Sequence, residues 1–149
     1  MIAVVQRVLS GKVLVAGRTV GEIARGMVVL AAVHADDSEE DGKWVAGKIA
    51  GLRIFAEGEK NFELDVRQIG GGILLVSNFT VAAETRSGRR PSLSGAAGPE
   101  KGRELFEKFV AAVKAEGVTV ATGEFGADMR VEIVNDGPVT MVVDSRGAR

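Results

Sequence analysis

The segment MVVLAAV, residues 27–33, followed by DDSEEDGKWVAGKIAGLRIF, residues 36–55, decides the fold class. The first part is almost entirely apolar, which is typical of a strand buried on both faces. In the second part Ser38 and Asp41 form a capping-box pattern at a helix start. Three apolar residues then share one helical face: Val45, Ile49 and Leu52. A buried strand followed by an amphipathic helix predicts a sheet with a helix packed on it.

On the N-terminal side of this segment the sequence predicts an antiparallel meander. The residues from Ile2 to Val8 are rich in β-branched side chains and form the first predicted strand. Turns are expected at Ser10-Gly11 and at Ala16-Gly17, with a second strand over Lys12 to Ala16 between them. The chain then continues toward Val20 as a third strand.

On the C-terminal side, loops and one further strand come first. Residues 56–61 are interpreted as a polar loop and Gly70-Gly71-Gly72 as a break in regular structure. Ile73 to Phe79 is a predicted strand, and residues 84–99 form a long polar connection. A loop of this length in a compact protein is usually functional or mobile.

A second helix and three short strands complete the predicted fold. Pro99 suits the first turn of a helix and Gly117 its end. The helix carries an apolar stripe: Leu105, Phe106, Phe109, Val110 and Val113. The strands are Val118 to Thr122, Arg130 to Val134 and Val139 to Val143. The order predicts an α/β (α+β) fold in one domain, 1–149: a mixed, mostly antiparallel sheet or partial barrel with two packed helices.

The composition indicates a soluble globular protein and excludes several kinds of site. Hydrophobic residues make up 46% of the 149 residues and charged residues 26%. The chain has no cysteine, which excludes disulfides, thiolate nucleophiles and Cys-ligated zinc, and we expect no metal and no cofactor. A net charge of -1 argues against a strongly basic nucleic-acid binder. Apolar runs are too short for a bilayer and no leader opens the chain, so we expect a cytoplasmic protein without membrane or DNA partners.

The stretch LLVSNFTV, residues 74–81, is the first candidate for chemistry. An apolar strand ends there in hydroxyl and amide side chains, and strand ends hold polar groups on a rigid support. Backbone N–H groups at such an end can form an oxyanion hole. The alternative interpretation is a strand that merely ends in polar turn residues.

Two further segments carry titratable or cationic side chains. In TRSGRRPS, residues 85–92, Arg86, Arg89 and Arg90 suit phosphate contacts, although a solvated surface loop would have the same composition. His34 is the one histidine and is followed by two aspartates, so it could act as a general base. A lone histidine at a strand end is more often structural.

The stretch NDGPVT, residues 135–140, is a hairpin signal with an unusual proline. Asp-Gly between apolar runs favours a turn, but Pro138 has no N–H for a strand ladder. The sequence does not decide the isomer of Gly137-Pro138. A cis bond would hold two carbonyls in a fixed direction, as acceptors for an amine, whereas a trans bond gives a turn at a sheet edge.

Taken together, the motifs have a recognisable order along the chain. They are AVVQRV at 3–8, GEIARG at 21–26, LRIF at 52–55, SNFTV at 77–81, TRSGRRPS at 85–92, FGADM at 125–129 and NDGPVT at 135–140. This series resembles the D-aminoacyl-tRNA deacylase family of the bacterial and eukaryotic type, from Met1 to about Ser145. The joint presence of the SNFT and NDGPVT motifs makes the resemblance specific.

The resemblance implies an enzyme of chiral proofreading. Family members hydrolyse the ester of D-aminoacyl-tRNA, and of glycyl-tRNA mischarged on tRNA-Ala, and release the free tRNA and amino acid. They are homodimers in which each site combines the strand-end motif of one subunit with the cis Gly-Pro segment of the other. The terminal ribose 2′-OH is thought to assist, and no side chain serves as an essential base.

The resemblance also implies roles for particular residues. Phe79 and Thr80 would supply catalytic N–H groups as an oxyanion hole, next to Ser77 and Asn78. Gly137 and Pro138 would accept the α-amino group of a D-substrate and exclude an L-substrate, with Arg7 supporting them. Phe125 and Met129 would line the adenosine or amino-acid pocket, and the arginine loop would contact phosphates near the tRNA 3′ end.

One departure from the family pattern keeps other functions open. Asn78 and Val81 stand where the family usually has Gln and Leu. Asn is one methylene shorter, which motivates the alternative of a non-catalytic module that binds an RNA end or an amino acid. A further alternative is a small-ester hydrolase with Thr80 as its nucleophile.

Overall fold

The computed structural model describes residues 1–148, which form eight strands, two α-helices and two short 3-10 turns. The strands are β1 (Ile2–Val15), β2 (Arg18–Ile23), β3 (Gly26–Ala32), β4 (Phe55–Glu57), β5 (Lys60–Leu64), β6 (Gly72–Ser77), β7 (Thr119–Thr122) and β8 (Arg130–Asp144). The helices are α1 (Glu39–Ala50) and α2 (Pro99–Ala115), and the 3-10 turns are Phe79–Ala82 and Ser145–Ala148. Within the described part of the chain, neither helix has the length and apolar character needed to cross a membrane.

Six of the strands form one mixed sheet, in agreement with the predicted fold class. Its order is β2-β1-β3-β6-β7, and β8 pairs with the free side of β1. The three pairs made by β1 are antiparallel, whereas β3–β6 and β6–β7 are parallel. A Cβ added at Gly21 of β2 would collide with the carbonyl oxygen of Thr122 in β7. The outer strands therefore meet, and the sheet is nearly closed.

Both predicted helices are confirmed with their end signals, but α1 ends at Ala50, so Leu52 lies beyond it. The carboxylate of Asp41 accepts a hydrogen bond from the Ser38 N–H at 2.9 Å, which is half of the capping box at the start of α1. Pro99 begins α2, and Gly117, with φ +79°, follows its end. The helices bury their apolar faces in one core with the sheet, where Phe109 is fully buried.

The predicted turn at Ser10-Gly11 is wrong, because β1 runs without interruption from Ile2 to Val15. Its first half pairs with β3 and its second half with β2. A Cβ added at Gly11 would lie 2.5 Å from Val28 Cγ2, so the glycine permits close packing rather than chain reversal. The turn at Ala16-Gly17 is confirmed, and its positive φ angles of 49° and 78° are those of a type I′ hairpin.

Two further boundaries differ from the prediction. The stretch 56–61, expected to be a loop, belongs to the β4–β5 hairpin, which turns at Gly58 with φ +59°. Residues 56–61 read AEGEKN, in which Ala56 is the one apolar side chain. No alternation of apolar and polar residues therefore marks a strand there. The strand predicted to reach Phe79 ends at Ser77, and the chain then enters a 3-10 turn.

The two predicted C-terminal strands are one strand, β8, and NDGPVT is not a hairpin turn. Residues on both sides of the motif pair antiparallel with the same strand, β1, in the pairs Gln6–Thr140 and Val8–Asn135. The chain therefore keeps its direction, and residues 136–139 stand out from the ladder as a bulge. We call residues 136–139 the Gly-Pro bulge.

Candidate functional site

A cavity of about 520 Å³ opens where the parallel strands β3 and β6 end. The carboxyl ends of neighbouring parallel strands commonly border a ligand site. Here they supply Ala31 to Val33 and Val76 to Asn78, while Gly102 and Phe106 of α2 close one side and residues 125–129 another. The wall is mainly apolar, and its polar groups cluster at the end of β6.

The strand-end motif, residues 77–80, carries two backbone N–H groups that make no hydrogen bond with other described residues: that of Phe79, which lines the cavity, and that of Thr80, which follows it. The N–H of Asn78 still donates to the Ala31 carbonyl at 2.8 Å, and the N–H of Val81 closes the 3-10 turn onto the Asn78 carbonyl at 3.1 Å. The N–H groups of Phe79 and Thr80 lie between these bonds, at the start of a helical turn, where no intrahelical acceptor exists. Two neighbouring donors are thus available for a bound oxygen.

Asn78 and Thr80 are joined through their side chains. The Thr80 hydroxyl donates to the Asn78 Oδ1 at 2.5 Å. An amide oxygen accepts this proton but cannot remove it, so the contact does not activate Thr80 as a nucleophile. It instead joins residues 78 and 80 within the strand-end motif.

The Gly-Pro bulge has a cis Gly137-Pro138 peptide, and Gly137 has φ +123°. Arg7 lies behind it with a side chain 14% exposed, its Nε 3.1 Å from the Asp136 carboxylate and its Nη1 donating to the Ile54 carbonyl at 2.8 Å. The side-chain amide of Asn135 donates to the Arg7 carbonyl at 2.9 Å and to the Val139 carbonyl at 3.2 Å. These contacts fix the base of the bulge while Gly137 and Pro138 remain exposed.

The predicted site residues fall into separate groups within one chain. Five of them line the cavity: Ser77, Asn78, Phe79, Phe125 and Met129. Thr80, Gly137, Pro138 and Arg7 are not part of its wall. Phe125 packs against Phe106 with ring centroids 6.1 Å apart, so the aromatic wall is anchored in the core.

The arginine loop stands away from the core on the protein surface. Arg86, Arg89 and Arg90 are all exposed, and the Arg86 Nε lies 3.6 Å from Glu84. Reciprocal backbone hydrogen bonds of 2.9 Å between Glu84 and Ser92 pin the base of the loop. The guanidinium groups are therefore presented to solvent on a closed segment.

His34 is placed unlike a general base. Only 4% of it is exposed, its backbone N–H donates to Asp37 at 2.7 Å, and it does not line the cavity. Asp37 also pairs with the ammonium group of Met1 at 2.6 Å. Thus the structural interpretation of His34 is favoured. Within residues 1–148 no group of three or more His, Asp or Glu side chains is arranged to hold a metal ion.

Sequence reasoning missed Arg103, which stacks on the cavity wall. Its guanidinium carbon lies 4.8 Å from the centroid of the Phe125 ring, and its Nη2 is 3.5 Å from the Phe125 carbonyl oxygen. Arg103 belongs to the solvent side of α2 and Phe125 to the segment before β8. Their spacing of 22 residues carries no periodic signal that could have joined them.

Residues 4–144 match the family model described as D-Tyr-tRNA(Tyr) deacylase. The chain therefore belongs to the D-aminoacyl-tRNA deacylase family, a family of hydrolases. The resemblance inferred from the motifs and the predicted enzyme class are confirmed.

Relatives and solved structures extend over nearly the whole chain. The D-aminoacyl-tRNA deacylase of Pelobacter propionicus is 51% identical and that of Thermotoga petrophila 49% identical, each over 97% of this chain and at least 97% of its own length. A structure described as "c-Myc DNA Unwinding Element Binding Protein" is 31% identical over 97% of this chain and 98% of its own, with a TM-score of 0.90. Another, "Structural Analysis of a probable eukaryotic D-amino acid tRNA deacylase", is 19% identical over 96% and 98%, with a TM-score of 0.84, and supports the fold alone.

Proposed function

We propose that this protein hydrolyses the ester of D-aminoacyl-tRNA at the strand-end motif, with backbone N–H groups as the catalytic donors. The observation that carries the proposal is the pair of free N–H groups of Phe79 and Thr80 beside a largely apolar cavity of about 520 Å³. A terminal adenosine fits such a cavity, with Phe125 and Met129 in its wall. The ester carbonyl then faces the two donors, as an oxyanion hole requires.

The reaction uses water as the nucleophile and the RNA as its own assistant. Water adds to the ester carbonyl carbon, the developing oxyanion is held by the two N–H groups, and the bond to the ribose oxygen breaks. The ribose 2′-OH relays the proton from the water to the leaving oxygen, so free tRNA and a D-amino acid result. An aminoacyl ester is already activated, and positioning with charge stabilisation is sufficient for it.

The Thr80-based route is the second candidate and is less well supported. It needs a base near the hydroxyl, but that hydroxyl donates to the amide oxygen of Asn78 and the one histidine is buried elsewhere.

The 2′-OH route also makes RNA, not DNA, the partner, because DNA lacks that hydroxyl. The same chemistry covers glycyl-tRNA mischarged on tRNA-Ala, since glycine presents no side chain to exclude. We place this activity in the cytoplasm.

The chiral filter comes from a second copy of the chain in this proposal. In the described residues β8 is paired along one edge only, and Val134 and Val142 on it are 50% and 65% exposed. Such an edge favours pairing with another chain. Symmetric pairing would carry the Gly-Pro bulge of one subunit to the cavity of the other, where its carbonyls accept the α-ammonium group of a D-substrate. The arginine loop (Arg86, Arg89, Arg90) then contacts phosphates of the acceptor end.

The first test measures the deacylation of D- and L-tyrosyl-tRNA by the unmodified protein and by two variants of Phe79. Phe79→Ala keeps the backbone N–H, whereas Phe79→Pro removes it at a helix start that tolerates proline. Losing one oxyanion donor costs about 100- to 1000-fold in kcat, so the proline variant is expected to lose that much beyond the alanine variant. Equal activities of the two variants would overturn the backbone oxyanion hole. Equal cleavage of both tRNAs by the unmodified protein would overturn the chiral filter.

The second test asks whether the site is shared between subunits. Phe79→Pro and Gly137→Ala chains are prepared separately, and each is expected to be inactive. A Cβ at residue 137 would lie 2.9 Å from the Val139 nitrogen and 3.1 Å from Arg7 Nη2. If the sites are shared in a two-fold dimer, random mixing restores about a quarter of the sites. No recovery in verified mixed dimers would place both elements in one subunit.

A further inference from the structure

Arg103 occupies the rim of the cavity and is not neutralised there. Its guanidinium lies over the Phe125 ring at 4.8 Å, and Phe125 lines the cavity together with Gly102, the neighbour of Arg103 on α2. Among the described residues, the hydrogen bond and the ring contact of Arg103 are both with Phe125, and Arg103 forms no ion pair with a carboxylate. The nearby Glu104 is instead paired with Lys108 at 2.9 Å.

The contact with the Phe125 ring holds the guanidinium group at the cavity rim, with its carbon 4.8 Å from the ring centroid. One Nη2 hydrogen bond of 3.5 Å to the Phe125 carbonyl is long, so most of its five N–H donors remain available. A guanidinium group with free N–H donors can bind two oxygens of a phosphate at once. The other cation on this part of the helix, Lys101, is already used, because its Nζ donates to the Ala35 carbonyl at 2.7 Å.

We propose that Arg103 binds the phosphodiester that joins the last two nucleotides of the tRNA. This inference rests on the proposed function, in which the terminal nucleoside occupies the cavity. A nucleoside enters an apolar cavity, but its 5′-phosphate carries a charge that must stay at the water-exposed rim. Arg103 is the cation on that rim. It is a binding residue that sets the position of the terminal nucleotide, separate from the exposed arginine loop.

The test uses two probes that differ only in the phosphate. Adenosine and the methyl ester of adenosine 5′-monophosphate are titrated into the full-length protein by calorimetry. The phosphodiester carries one negative charge, as the tRNA linkage does. The unmodified protein is expected to bind the phosphodiester about tenfold more tightly, as one exposed charge-assisted contact provides. Arg103→Gln, which keeps an amide over the ring, is expected to remove this preference and leave adenosine binding unchanged.

Lys114→Gln is the matched control, because it removes one exposed positive charge from the far end of the same helix. It lies 11 residues away, about 16 Å along the axis, and is expected to keep the full preference. If Arg103→Gln keeps the preference, or if Lys114→Gln loses it equally, the assignment is overturned. An unmodified protein that does not prefer the phosphodiester overturns it too.

A kinetic measurement separates this inference from the proposed function. On D-tyrosyl-tRNA, Arg103→Gln is expected to raise KM about tenfold with kcat unchanged, and to lower the salt slope of log KM by about one. An unchanged KM and salt slope would overturn the role of Arg103 while the deacylase remains established. If the unmodified protein does not cleave the substrate, the proposed function fails, and the calorimetric comparison still decides whether Arg103 recognises a nucleoside phosphate.

Discussion

Arg7→Ala tests whether a buried cation supports the Gly-Pro bulge. The substitution removes the 2.8 Å hydrogen bond to the Ile54 carbonyl and the 3.1 Å contact with Asp136. A hydrogen bond from a charged group contributes about 1.5–3 kcal/mol, and a partly exposed ion pair about 0–1 kcal/mol. We therefore expect the free energy of unfolding to fall by about 1.5–4 kcal/mol, measured by urea denaturation.

Lys12→Ala is the matched control for that variant. Lys12 is also a cation on β1 paired with an anion on β8, at 3.4 Å from Glu132, but both side chains are exposed. Its removal is expected to cost less than about 1 kcal/mol. Deacylation of D-tyrosyl-tRNA should fall more than about tenfold in Arg7→Ala, a loss of at least 1.4 kcal/mol, and stay unchanged in the control.

Arg7→Lys separates the charge from the geometry. Lysine keeps the positive charge but replaces the planar guanidinium, which reaches two acceptors at once, by a single ammonium group. We expect intermediate stability and reduced activity. The reasoning is refuted if Arg7→Ala unfolds within about 0.5 kcal/mol of the unmodified protein, the scatter of ordinary surface substitutions. It is also refuted if Arg7→Ala and Lys12→Ala are equally active.

Three other substitutions test the mechanism, the pH response and the fold. Thr80→Ala removes the hydroxyl that bonds to Asn78 but keeps the backbone donor, and its kcat on D-tyrosyl-tRNA is expected to fall less than about tenfold. Asp65→Asn tests a carboxyl whose pKa is held below its ordinary value by the hydrogen bond from Arg67. Because this carboxylate stabilises the fold only while ionised, the stability difference from the unmodified protein should be full at pH 7 and shrink in acid below about pH 4. Gly26→Ala would place a Cβ on the backbone of β6, and the cost in urea denaturation is expected to be at least about 1–3 kcal/mol.

For each of these variants, one outcome would contradict the prediction. Complete loss of turnover in Thr80→Ala with substrate binding intact would favour the acyl-enzyme route. A constant stability difference for Asp65→Asn between pH 7 and pH 2 would show that its ionisation is not linked to folding. Gly95 is a suitable control for Gly26, because a Cβ added there meets no atom within 4 Å. Equal stabilities of Gly26→Ala and Gly95→Ala would contradict the steric argument.

The sequence predicted correctly those elements whose local structure is decided by residues close to them in the chain. The strand predicted over residues 27–33 is β3, which lies between β1 and β6. Ser38 precedes α1, Pro99 begins α2 and Gly117 follows the end of α2, as the capping rules indicate. A cap or a buried apolar run is determined within a few residues, so one sequence is enough to find it.

The errors arose where a distant partner decides the local structure. Ser10-Gly11 has the composition of a turn, but β2 and β8 pair with Gly11 and keep β1 extended. Asp136-Gly137 is also a turn signal, and yet both flanks of the motif find partners on β1. The choice between a turn and a bulge depends on pairing with residues about 130 positions away, which no local pattern contains.

The lining of the candidate site was predictable in part, because five residues singled out from the motifs meet at one cavity, but their arrangement was not. The motifs indicated a backbone oxyanion hole because such a site needs only a strand end and a following turn, and this role stays a prediction. That Phe125 packs on Phe106 and beneath Arg103 follows from how α2 lies across the end of the sheet. A sequence cannot provide that contact, since it depends on the packing of a helix and a loop that are far apart in the chain.

The proposed use of backbone donors also accounts for Asn78 in this site. A catalytic side chain one methylene shorter would move its functional atom and weaken the chemistry. Here the shorter amide binds the Thr80 hydroxyl at 2.5 Å within the motif itself. The N–H groups of Phe79 and Thr80 are positioned by the β6 pairing and by the 3-10 hydrogen bond, both of which involve only the backbone of residue 78. The departure from the family pattern therefore alters the support of the turn and leaves its donors in place.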